Sequence, residues 1–181
     1  MLAVLTSRST IILIPFYSYV GIFLSFWQGV FPTTLQFSKG LASNIYLPGF
    51  YGMSFCAGST CMSVVTITLS KRISNFGQRP MTMMNLAIQL VIYVLIVASV
   101  PAWSTVRPTD EPALIFQPTV FSSLILAFLF GAADAANNFT RTVIASIVAP
   151  KHKSQSFATS RLFHGMACSI LFFLSPSLSI Y

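Results

Sequence analysis

Five apolar stretches, each about as long as a bilayer crossing, constrain this chain more than anything else in it. A helix rises about 1.5 Å per residue, so about 20 apolar residues are needed to cross the hydrocarbon core. Ile11 to Phe31, Leu47 to Ser70, Met81 to Trp103, Val120 to Ala149 and Phe157 to Leu174 all qualify. The first carries no charge and has Pro32 just beyond it; the second is closed by Lys71 and Arg72. The first is also too long for a signal-peptide core and has no small-residue cleavage site behind it, so it reads as a retained helix. In lipid every backbone N–H and C=O must be satisfied inside the protein. The ten-residue alternation of a membrane β-barrel is absent. The expected fold is therefore an all-α membrane protein, a polytopic helical bundle forming a single transmembrane domain over residues 1–181.

Composition removes the competing classes. Only 7% of the 181 residues are charged and 55% are hydrophobic, against roughly 25% charged in a soluble domain. Disorder needs low hydrophobicity, and three cysteines are too few for a secreted disulfide scaffold. A net charge of +7 would suggest nucleic acid in a soluble chain. Here it reads as basic loops beside a lipid bilayer, so no nucleic-acid partner is expected. Arg8, Lys71, Arg72, Arg79, Lys151 and Lys153 fall on one side of the spans, Lys39 and Arg107 on the other with Asp110 and Glu111. Six cations against two predict a cytoplasmic N-terminus. Tyr17, Tyr19, Trp27, Tyr46, Tyr51 and Trp103 suit interfacial belts or helix packing.

No nucleophile elbow, zinc helix motif or phosphate loop is present, which predicts a non-enzyme. Cys56, Cys61 and Cys168 lack metal-ligand spacing, so neither a metal nor a cofactor is expected. Small residues collect in the second and fourth spans, and Gly49, Gly52, Gly58 and Gly131 are the candidates for close helix packing.

The fourth span carries the chemistry. Asp134, Asn138 and Arg141 stand at i, i+4 and i+7, on one helix face. A charge at mid-membrane costs about 2.5–3.5 kcal/mol on insertion scales, so such groups face a bundle interior or a wet cavity. A hairpin turning near His152 sets Arg141 level with His164, Arg161 one turn nearer the basic side, and Asp134 about 10 Å deeper. These five residues are the candidate cavity or partner-binding set. Three readings stay open: a structural pair with snorkelling arginines, a vestibule for an anion or lipid headgroup, and a proton- or ion-coupled site.

Four segments resemble a known family. The loop K-R-I-S-N-F-G-Q-R-P looks like a degraded major facilitator loop, keeping Gly77, Arg79 and Pro80 while Ser74 replaces its acid. G-A-A-D-A-A-N-N-F-T, with Gly131, Asp134, Ala135 and Asn138, is similar to a segment of the uncoordinated-ninety-three-like ion channel regulatory proteins; Asn137 and Arg141 depart from it. G-I-F-L-S-F-W-Q-G-V-F-P-T resembles that family's seventh helix through Gly21, Ser25, Phe26, Gly29, Pro32 and Thr33, and S-F-A-T-S-R-L-F-H-G resembles the start of the eleventh. The resemblance implies a partial major facilitator fold of about five transmembrane helices, equivalent to helices seven to eleven, with the N-terminal half or a partner half missing. It also implies an auxiliary subunit that modulates an ion-channel subunit, a potassium channel being one candidate. The alternatives are a transporter of a small solute, with Asp134, Asn138 and Arg141 lining its cavity, or an inactive fragment of one.

Overall fold

The computed structural model describes residues 7–37, 45–74, 76, 79–99, 119–150 and 152–175. Among these the regular structure is entirely helical: α1 (Arg8–Ser25), a π turn (Phe26–Val30), α2 (Phe31–Phe37), α3 (Leu47–Arg72), α4 (Arg79–Ser99), α5 (Val120–Val148) and α6 (Lys153–Leu174). With α1, the π turn and α2 counted as one rod over Thr10–Leu35, five helices are long and apolar enough to span a membrane. The fold is a polytopic helical bundle.

The first rod departs from the sequence expectation, because it runs through Pro32 instead of ending before it. Proline has no N–H and its ring crowds the carbonyl four residues back. The π turn resolves the conflict by spending the Phe31 N–H on the Phe26 carbonyl, five residues behind. That leaves the Trp27 carbonyl without a donor in its own helix, since Phe31 is used and the next candidate is Pro32. The Tyr51 hydroxyl of α3 donates to it at 2.9 Å. The other ends differ by less. α4 is described to Ser99, and residues 100–103 of its expected span lie outside the described residues. α6 starts at Lys153, one turn before Phe157, because His152 N–H closes on Ala149 O and Ser156 N–H on His152 O, both at 3.0 Å. α5 starts on a reciprocal cap between Thr119 and Ser122.

α5 is the central helix and packs against α3, α4, α6 and α1. Lipid is as apolar as leucine, so helices gain little from burying apolar area and adhere by close backbone contact and polar bonds. The α3–α5 seam has both. The Ser54 hydroxyl donates to the Leu124 carbonyl at 2.7 Å across a separation of 70 positions. Gly58 lies against the Phe128 carbonyl with the same separation, and Gly131 against the Phe55 carbonyl. The offsets stay nearly constant along the seam, so α3 and α5 run parallel. The α1–α6 seam repeats the arrangement. Ser25 Oγ donates to Cys168 O at 3.1 Å, 143 positions away, and Gly21 on His164 and Gly29 on Phe172 keep that offset. The two largest interfaces thus join parallel, non-consecutive helices.

Gly49 and Gly52 correct the packing expectation: among the described residues nothing lies within 4 Å of a methyl built on either. Nine residues separate Gly49 from Gly58, about half a turn of the helix wheel, so Gly49 points away from α5. Between the seams sits an aromatic core. The Phe130 ring lies 5.1 Å from Phe31, 6.0 Å from Phe23 and 6.2 Å from Phe26. A second cluster brings Met62, Phe76 and Met81 onto Ala132 and Ala136.

A methyl at Gly58 overlaps a backbone carbonyl, which cannot swing aside. Gly58→Ala is therefore expected to destabilise by about 1–3 kcal/mol, while Gly49→Ala leaves stability unchanged or slightly raises it. Thermal unfolding of the purified protein in one detergent, measured for both variants, checks the contrast.

Candidate functional site

The charged and amide side chains of α5 occupy an arc of about 100° on the helix wheel, with Asn137 at one edge, Asn138 at the other, and Arg141 and Asp134 between. Small neighbours make this possible: Gly131, Ala132, Ala133 and Ala136 are buried and let the adjoining helices close over the arc.

Asn137 anchors the first network. Its Oδ1 accepts from Asn85 Nδ2 at 2.7 Å and from Gln89 Nε2 at 3.2 Å, both on α4. Gln89 Oε1 accepts from the Tyr19 hydroxyl of α1 at 2.6 Å, and that hydroxyl lies 3.1 Å from the Tyr93 hydroxyl. Asn85, Gln89 and Asn137 are all buried. One amide thus joins α1, α4 and α5 through a chain of hydrogen bonds, each the alternative to a bare polar group among apolar neighbours.

The second network runs along α5 itself. Asn138 Nδ2 donates to Asp134 Oδ2 at 3.0 Å and also to the Asp134 carbonyl at 3.0 Å. Arg141 Nη2 donates to Asn138 Oδ1 at 2.8 Å. The acid and the guanidinium are bridged by an amide and share no direct hydrogen bond: Asp134 Oδ1, Arg141 Nε and Arg141 Nη1 have no partner. Trp27, from the π turn, turns its indole N–H toward the Asp134 carboxylate, outside ideal hydrogen-bond geometry. The indole is fixed by stacking on Phe55, with centroids 3.8 Å apart and planes 19° apart.

The structure brings four of the five candidate residues onto or beside this arc and places the fifth at its edge. Arg141 is 3% exposed and His164 is 7% exposed. Asp134 and Asn138 are half-buried, and Arg161 is exposed. Arg161 and Asp134 are the charged neighbours of Arg141, and His164 is in turn within electrostatic reach of both arginines. Arg79 and Pro80 form the exposed start of α4, and Gly77 lies outside the described residues.

Sequence reasoning passed over Tyr19, Asn85, Gln89 and Asn137. A signal existed, since Asn85 and Gln89 are two amides four apart in an otherwise apolar span, hence on one helix face. Tyr17 and Tyr51 are buried in the core, and Trp27 is stacked inside the bundle, so these three do not form an interfacial belt; Tyr46 is exposed.

A family model described as "UNC-93: Ion channel regulatory protein UNC-93" matches residues 1–181. No solved structure matches the chain.

In a double-mutant cycle of Asn85→Ala and Asn137→Ala, measured by reversible unfolding in detergent micelles, a coupling of about 0.6–2 kcal/mol is expected. Tyr51→Phe leaves the Trp27 carbonyl bare, and a loss of about 1–3 kcal/mol in the same assay is expected.

Proposed function

From the premise that this chain belongs to the UNC-93 family of ion channel regulatory proteins, we propose that it acts as a non-catalytic auxiliary subunit, associating with an ion-channel subunit within the bilayer and altering its gating. A potassium channel is the first candidate. In this reading the N-terminus is cytoplasmic, on the side of Arg8, Lys71, Arg72, Arg79, Lys151 and Lys153, whose excess of cations supports it. The five helices stand as helices seven to eleven of a larger major facilitator-type bundle.

One observation carries the reading. The amides that could have lined an aqueous path are closed on one another, with Asn137 accepting from both Asn85 and Gln89. The larger crevice described, about 370 Å³ between α1 and α6, is walled by Ile22, Phe163, Met166, Ala167, Ile170, Leu171 and Leu174, with Ser18 the one polar residue. It is a surface for lipid or another helix, with no group suited to hold a hydrophilic solute.

Co-expression with a potassium-channel subunit in oocytes tests the reading. Current altered about twofold or more, with no accompanying solute flux, is expected. Unchanged current together with saturable uptake that is lost in Asp134→Asn, at equal surface level, replaces the regulator with a transporter.

A further inference from the structure

We propose that the junction of α1, α5 and α6 binds an oxyanion of the phosphate or carboxylate class, held by the Arg141 guanidinium. The inference is independent of whether the chain regulates a channel.

Arg141 presents a fixed positive charge that is 3% exposed. Among the described residues only its Nη2 has a partner, Asn138; Nε and Nη1 have none. Unpaired charge inside a low-dielectric bundle is costly unless a counter-charge and hydrogen bonds accompany it. Asp134 does not supply them. It lies one amide away, and a second guanidinium, Arg161, acts on the same space. Two guanidiniums face one carboxylate, so the junction keeps an excess positive charge.

The walls add neutral donors. The Tyr17 hydroxyl sits on a side chain 1% exposed. Tyr17 is within electrostatic reach of Arg141, and Ser156 stands beside its hydroxyl. His164, also buried, leaves Nδ1 unpartnered. A planar guanidinium fork with hydroxyl donors around it matches the lone-pair geometry of a phosphate or carboxylate oxygen pair. A metal cation is disfavoured by the two arginines. Arg161, exposed on α6 toward its basic end, offers the first contact to an anion arriving from that face. The oxyanion can come from solution or from a lipid headgroup; the chemistry at Arg141 is the same.

The test uses the purified full chain. In detergent, radiolabelled inorganic phosphate is titrated by scintillation proximity at constant ionic strength. In parallel, nanodiscs of phosphatidylcholine with and without phosphatidylserine are compared by native mass spectrometry for retained lipid. Saturable phosphate binding, weakened about tenfold or more in Arg141→Gln, is expected for a soluble ligand. Stoichiometric phosphatidylserine retention that Arg141→Gln abolishes, with no phosphate binding, assigns the site to a headgroup. Arg141→Lys keeps the charge without the fork and should bind with intermediate affinity. Without ligand, Arg141→Gln should unfold at a temperature no lower than the parent, because it removes an unpaired buried charge. Failure of both probes, or binding of equal strength in Arg141→Gln, overturns the proposal. So does a lower unfolding temperature in that variant with no ligand effect in either protein.

Discussion

A polar side chain inside a bilayer has no water to turn to, and the whole arrangement follows from where α5 sends its own. Asn137, Asp134, Asn138 and Arg141 lie on one arc of a helix long enough to cross the membrane. Lipid cannot face that arc, so other helices must. α5 accordingly takes the central place, with α3, α4, α6 and α1 around it. Asn137 meets this demand through its acceptor oxygen, drawing donors from Asn85 and Gln89, while its Nδ2 makes no hydrogen bond among the described residues. Asp134 and Arg141 meet it only in part, through Asn138. The amides close largely on one another, whereas the guanidinium keeps two free donor nitrogens and a charge, and so retains a binding capacity.

Backbone proximity provides the second condition. Shielding the arc requires the neighbours to stand close, and bulk at the crossing points would hold them off. Gly58 and Gly131 admit α3 to α5, and Gly21, Ser25 and Gly29 admit α6 to α1. Hydroxyl-to-carbonyl bonds from Ser54 and Ser25 then fasten each seam. The π turn belongs to the same economy of backbone groups. It carries the rod past Pro32, aims Trp27 at the α5 arc, and yields a free carbonyl that Tyr51 ties to α3.

The membrane class and the helical bundle were legible because hydrophobic length is a one-dimensional property, written along the chain without reference to contacts. The α5 arc was legible for a similar reason, since spacings of four and seven fix a face. What stayed hidden depends on partners. Pro32 is a standard end signal, and only the π turn with the Tyr51 hydroxyl makes it passable. Gly49 and Gly58 share a helix and a composition, yet only the face decides which one packs, and that face is known once α5 lies against it. Asn137 read as a departure from a family pattern because its partners, Asn85 and Gln89, sit about fifty positions away on another helix. The parallel pairing of α1 with α6 has no local trace at all.

The offset along the α1–α6 seam sets a schedule for biogenesis. α1 leaves the ribosome 143 positions ahead of the residues it packs against. At a synthesis rate of about 5–20 residues per second, that interval is roughly 7–30 s. Throughout it, the groove of Gly21, Ser25 and Gly29 lies open in the translocon or the lipid, and the junction around Arg141 lacks its α6 wall. The nascent bundle thus spends seconds with its most polar region unsealed. Whatever shelters α1 during that interval, whether insertion machinery or another membrane helix, must be displaced by α6 at the moment the seam closes.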